Sequence, residues 1–251
     1  MNYYIVTGAS KGLGLGIVNN LIDPKNNIIC ISRNKNETII KRAKSEGCQL
    51  NYFEYDLNHV EGIDDLIDKI FSIIDTNKVK SITLINNAGV VTPIKPIGKT
   101  DSNAMIKSIH INTIAPMILA SQFITHTKDF NCTRKICNIS SGAGSNPYYG
   151  WGTYCTSKAA MDMFGRCVGV EQEKENNPVK IISFSPGIID TPMQEIIRES
   201  NEDDFELIHK FRKFKEDGAL RSPDFVAKKV IEAINKKDLD NGSLIHIMDL
   251  I

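Results

Sequence analysis

The chain has 251 residues, 41% of them hydrophobic and 24% charged, with 30 Lys and Arg balanced by 30 Asp and Glu. That length favours one large α/β domain with a substantial core, and the zero net charge argues against a nucleic-acid or anionic-membrane partner. No apolar run approaches the roughly 18–20 residues of a membrane span, so the expectation is a cytoplasmic protein without a membrane partner.

A β-branched and aromatic run predicts the first strand over 3–7, and Thr7-Gly8-Ala9-Ser10-Lys11-Gly12-Leu13-Gly14 leads from it into a helix near 12–22 that Asp23-Pro24 stops. The G-x-x-x-G-x-G spacing is wider than the common G-x-G-x-x-G fingerprint, but the physical need is the same. Glycines permit a tight turn and let backbone amides approach a pyrophosphate at a helix N-terminus. Gly8, Ser10, Lys11, Gly12, Leu13 and Gly14 are therefore candidate cofactor residues. The second strand, over 28–32, ends in Ile31-Ser32-Arg33-Asn34-Lys35. An Asp or Glu here would bind the ribose 2′-hydroxyl of NAD. Instead Arg33 offers a planar fork for a 2′-phosphate, Ser32 a hydroxyl and Lys11 a second cation, which favours NADP(H).

A helix near 37–46 and a strand over 49–55 follow, then Asp56-Leu57, where a carboxylate can meet the adenine amino group or cap a turn. After a helix near 61–75, the strand over 81–86 runs into Asn86-Asn87-Ala88-Gly89, and the small size of Asn87, Ala88 and Gly89 lets backbone pass close to a cofactor. The helix near 101–127 carries His110, more often structural than catalytic as a lone histidine, and Asn112. The strand over 135–140 delivers Ser141, and the helix near 151–175 carries Tyr154 and Lys158. Helical i,i+4 spacing puts that phenol and ammonium on one face. A lone tyrosine titrates near ~10, and a neighbouring Lys⁺ lowers that value by stabilising the phenolate.

The strand over 180–185 precedes Pro186, Gly187, Ile189 and Thr191, which can frame a nicotinamide. The charged segment 191–221 reads either as solvated helix faces or as a substrate lid beyond the carboxyl end of a strand. Ser222-Pro223-Asp224 starts the last helix, near 223–236, and a short strand is expected over 244–247. The six cysteines form no Cys-x-x-Cys pair and the histidines no cluster, so no metal site is expected. This alternation predicts one Rossmann-like domain: a doubly wound parallel sheet with helices on both faces.

Thr7 to Gly14, Asn86-Asn87-Ala88-Gly89, Asn112, Ser141, Tyr154-x-x-x-Lys158 and Pro186-Gly187, in this order along nearly the whole chain, resemble the short-chain dehydrogenase/reductase family. The resemblance implies a single domain with a seven-stranded parallel sheet and the catalytic set Asn112, Ser141, Tyr154 and Lys158. Ser141 then holds a carbonyl oxygen, Tyr154 gives the proton, Lys158 tunes Tyr154 and binds the nicotinamide ribose, and Asn112 holds a water that links Lys158 to solvent. It also implies a homodimer through the helices near 101–127 and 151–175.

Within the family, the stretch 146–155 is similar to the branch containing the sepiapterin reductases, whose members reduce a carbonyl beside another carbonyl. That implies a small dicarbonyl substrate: a vicinal diketone such as benzil, reduced to an (S)-α-hydroxyketone such as (S)-benzoin. His246 stands where that branch carries a pterin-anchoring carboxylate, which speaks against a pterin. Tyr148, Tyr149, Trp151, Met193 and Phe205 can form an apolar pocket beside Ser141 and Tyr154, or belong to the core. A 3-oxoacyl thioester reductase and a non-catalytic NADPH-sensing protein are the competing readings.

Overall fold

The computed structural model describes residues 1–238 and 240–251. Seven strands, β1 (Asn2–Thr7), β2 (Asn26–Ser32), β3 (Gln49–Glu54), β4 (Ser81–Asn86), β5 (Thr133–Ile139), β6 (Lys180–Ser185) and β7 (Leu244–His246), form one sheet in the order β3-β2-β1-β4-β5-β6-β7. Every pairing is parallel. The order reverses between β1 and β4, so the loops leaving their carboxyl ends diverge and open a crevice.

Alternation along the strands sorts side chains to two faces. Val6, Ile28, Cys30 and Ile85 face a core closed by α1 (Gly12–Leu21), α2 (Glu37–Ser45) and α9 (Pro223–Asn235). Ile5, Ile29, Ile31 and Leu84 face the opposite core, closed by α3 (Ile63–Ser72), α5 (Ala115–Thr127) and α6 (Gly152–Gln172). Caps fix several helix starts: Ile39 N donates to Asn36 Oδ1 for α2, and Phe225 N to Ser222 Oγ, just before Pro223, for α9. Each such cap contributes about 1 kcal/mol.

The helix expected near 101–127 is divided. It runs as α4 (Ser102–Ile109), a widened π turn at His110–Ile114, and α5. Pro116 has no N–H to give the carbonyl of Asn112 four residues earlier, so α-helical bonding cannot pass through this point and the turn widens. The π turn falls on Asn112, a placement that residue spacing alone does not show.

The charged segment forms α7 (Pro192–Arg198) and α8 (Ile208–Glu216). Its two ends are tied at the base, where Arg221 N donates to Ile188 O and Asp190 N to Arg221 O. Outer faces carry ion pairs such as Arg212–Glu202 and Lys215–Asp190. The inner face buries Ile197, Phe205, Ile208 and Phe211 against Trp151, Tyr154 and Val91 in a third apolar cluster above the sheet edge. Solvated charge and an apolar covering surface thus coexist, on opposite sides of one segment.

Candidate active site

A cleft of about 570 Å³ runs along the carboxyl edge of the sheet, from the glycine loop to the underside of α7 and α8. Its floor is built by backbone clasps. Asn87 N and Ala88 N each donate to Thr7 Oγ1 at 3.0 Å, and Asn87 Nδ2 donates to Thr7 O at 2.9 Å. These bonds draw the β4 loop onto the β1 loop so closely that side chains are excluded. A Cβ on Gly8, which has φ +67°, would stand 2.9 Å from Ala88 Cα. Such a cradle of small residues and amides fits the diphosphate of a dinucleotide.

All the cofactor candidates line this cleft except Gly14, which shapes the loop from behind: Gly8, Ser10, Lys11, Gly12, Leu13, Ser32, Arg33, Asp56, Leu57, Asn87, Ala88, Gly89, Tyr154, Lys158, Pro186, Gly187, Ile189 and Thr191. Arg33 makes no ion pair among the described residues, whereas neighbouring Lys35 is held by Glu54 at 3.1 Å. Ser32 Oγ donates to Asn34 O and lies 2.9 Å from the Tyr52 hydroxyl, so its first task is to shape the strand end. Asp56 lines the cleft, and its Oδ1 accepts from Asn58 N in the turn after β3. His110 Nδ1 meets Asn58 O at 3.1 Å and is structural.

Ser141, Tyr154 and Lys158 come together at the centre of the cleft. Ala143 N donates to Ser141 Oγ, which leaves the Ser141 proton available. Tyr154 is 7% exposed and Lys158 6%. Lys158 Nζ donates to Ile139 O at 2.8 Å and lies 5.8 Å from the centre of the Tyr154 ring. Burial pushes the Tyr154 phenol up to about 12, with Ser141 pulling the other way. Burial also lowers Lys158 to about 8, opposed by Asp162.

The expected lowering of Tyr154 by Lys158 is therefore not found. The ammonium is directed at a backbone carbonyl, and desolvation dominates the phenol. A phenol near 12 is fully protonated at neutral pH and still more acidic than an aliphatic alcohol, so it is a competent donor to an alkoxide.

The Asn112 side chain is engaged by the protein on both of its polar atoms. Its Oδ1 accepts from Val90 N and its Nδ2 donates to Val90 O, both at 2.8 Å, with Ser157 Oγ at 3.2 Å. Its side chain is thereby a clamp on the β4 loop. Four of the proposed substrate residues beside Ser141, namely Tyr148, Trp151, Tyr154 and Met193, line the cleft. Tyr149 does not: it is 48% exposed, turned outward just before the left-handed Gly150. Nor does Phe205, which is fully buried behind the Trp151 indole and stacked on it at 4.7 Å. His246 is exposed and its N donates to Asp249 Oδ2, away from the cleft.

Leu207, Phe211 and Phe214 also line the cleft and were not among the candidates. Their i, i+4, i+7 spacing within the charged segment is the signal that marks them. Gln194 lines it too, with its Oε1 buried and unpartnered.

Comparison with known proteins agrees with this geometry. Residues 2–202 match the family model for short chain dehydrogenase, and the chain belongs to the short-chain dehydrogenase/reductase family. It is an oxidoreductase acting between CH–OH and C=O groups with a nicotinamide cofactor. Among relatives, it is 43% identical to a benzil reductase ((S)-benzoin forming) of Bacillus cereus, covering 98% of this chain and 99% of that one. It is 26% identical to the sepiapterin reductase of Rattus norvegicus, over 98% and 96% of the two chains. The crystal structure of the KRED1-Pglu enzyme superposes with a TM-score of 0.83 at 26% identity, covering 98% of this chain and 100% of that one.

Proposed function

We propose that this protein uses NADPH to reduce one carbonyl of a vicinal diketone such as benzil, giving an (S)-α-hydroxyketone such as (S)-benzoin. The observation that carries the reading is an aromatic wall of Trp151, Phe211 and Phe214 in the same cleft as Ser141 and Tyr154, with the Trp151 ring edge-on to Tyr154 at 5.4 Å. An aryl ketone is the substrate class such a wall accepts. The identity to the Bacillus cereus benzil reductase supports the same choice. Arg33 and Lys11, both lining the far end of the cleft, favour a 2′-phosphate and so NADPH over NADH.

The cofactor, when bound, supplies the hydride. Tyr154 donates its proton to the carbonyl oxygen as it becomes an alkoxide, and the Ser141 hydroxyl holds that oxygen in place. Lys158 stays cationic below about pH 8, steadies the developing negative charge and would bind the ribose hydroxyls of the cofactor. The water-holding role implied for Asn112 passes to its backbone carbonyl, which Pro116 deprives of an α-helical donor. The segment 191–221 acts as the lid, its apolar inner face excluding water. A homodimer through α4, α5 and α6 is supported by Ile106, Met117 and Met163, which those helices leave exposed.

Gln194 accounts for the second carbonyl. With Oε1 turned into the protein, its amide nitrogen is the end left for the cleft, a donor for the oxygen that is not reduced. Gln194→Leu is expected to lower kcat/KM for benzil about tenfold, the worth of one hydrogen bond. Deoxybenzoin, which lacks that oxygen, keeps its rate. Equal losses on both ketones would remove Gln194 from this role. For the function as a whole, NADPH and NADH oxidation are compared over a panel of 1,2-diketones and 3-oxoacyl thioesters. Thioester turnover without diketone turnover, or a preference for NADH, refutes the reading.

A further inference from the structure

Asp162 lies one turn after Lys158 on α6, and the reduction chemistry leaves it without a task. It is 7% exposed, and both carboxylate oxygens are buried without a hydrogen-bond partner. A carboxylate in such a place is costly unless another charge compensates it. Burial pushes the Asp162 carboxyl above its ordinary value, and Ser140, Lys158, Ser183 and Arg166 oppose that rise; Ser140 Oγ and Ser183 Oγ, also buried and unpartnered, do so without reaching hydrogen-bond geometry. The fold keeps room for this group. A Cβ on Gly144 would stand 2.5 Å from Asp162 Oδ2 and 3.2 Å from the Lys158 carbonyl carbon.

Lys158 and Asp162 thereby grip one stretch of chain. Nζ of Lys158 bonds Ile139 O, while the Asp162 carboxylate faces Ser140 and abuts Gly144, with Ser141 between the two contacts. From its own helix, Lys158 faces Tyr154 and Asp162. The end of β5 presents Ile139 O and the neutral Ser140 and Ser141, the π turn presents neutral Asn112, and the β4 loop presents Gly89. Asp162 in turn faces Lys158 and Arg166. Among the described residues, Asp162 is the one carboxylate that acts on Lys158.

We propose that Asp162 is the buried counter-charge of the catalytic centre, a positioning residue that holds Lys158 as a cation and seats the Ser141 turn beside it. This rests on the reading of Tyr154 and Lys158 as the reacting pair. Burial favours the neutral amine and Asp162 opposes it. Removing the charge at Asp162 therefore makes Lys158 lose its proton at a lower pH.

The test is the pH dependence of benzil reduction by NADPH in the wild-type protein and in Asp162→Asn, each with its Tm and its NADPH Kd. Wild-type activity is expected to decline as pH rises through about 8. In Asp162→Asn the alkaline limb moves down by about one pH unit, so the ratio of rates above and below the limb drops about tenfold relative to wild type. A limb that stays in place in a folded variant, or a loss equal at all pH values, overturns the proposal. Asp162→Ser, smaller and uncharged, carries the same expectation if the asparagine variant does not fold. A titration of 13Cε-labelled lysine by NMR reads Lys158 without substrate and must show the same displacement. A wild-type protein that reduces no carbonyl refutes the proposed function. An active wild type with an unshifted variant refutes only the role of Asp162.

Discussion

Tyr154→Phe is expected to lower the rate of carbonyl reduction by about 10²–10⁴-fold, the usual contribution of a positioned general acid. NADPH binding stays within about twofold, because the substitution removes one hydroxyl and no binding charge. The ring keeps its packing, edge-on to Trp151 at 5.4 Å, so Tm changes little. The loss is chemical: the phenol shares the centre of the cleft with Ser141, and Lys158 is occupied by Ile139 O. Single-turnover reduction and NADPH fluorescence titration of the same variant separate the two effects. Turnover near the wild-type rate would remove Tyr154 from the mechanism.

Gly14→Ala is expected to abolish tight NADPH binding, with Kd raised at least about 100-fold, and to destabilise the fold by about 2–4 kcal/mol. A Cβ at Gly14 would overlap the Gly8 carbonyl oxygen and stand 2.5 Å from Asn87 Nδ2. Neither neighbour can yield. Gly8 is itself wedged against Ala88, and Asn87 Nδ2 is bonded to Thr7 O. Relief requires the glycine loop to part from the β4 loop, which breaks the bonds to Thr7 and opens the diphosphate cradle together. Gly98→Ala is the control, since nothing lies within 4 Å of a Cβ there. A Gly14→Ala protein with wild-type Tm and Kd would show that the cradle is looser than these contacts imply.

Much of this site is legible in the sequence because it depends on local rules. Glycine spacing after a strand marks the cradle, and Ser141, Tyr154 and Lys158 are positioned by a strand end and a helical turn. The parts that are not legible depend on tertiary contacts. Pro116 is visible in the sequence, but its effect on the carbonyl of Asn112 appears only when the helix is built. The pKa values of Tyr154 and Lys158 follow from burial, which spacing does not encode, so the expected direction for Tyr154 was reversed. Phe205 and Phe211 belong to one charged segment, yet Phe205 stacks on Trp151 out of the cleft while Phe211 meets it edge-on and lines the cleft. Asp162 gives no signal beyond its spacing from Lys158, because Ser140 and Ser183 come to it from different strands.

The central claim is that Tyr154 and Ser141 act on one carbonyl of a diketone in an aromatic cleft with NADPH as the reductant. Its most direct measurement is NADPH oxidation with benzil, followed by chiral analysis of the product. One equivalent of (S)-benzoin per NADPH consumed is the expected result. No NADPH consumption with benzil or any other 1,2-diketone, alongside turnover of 3-oxoacyl thioesters, would contradict it.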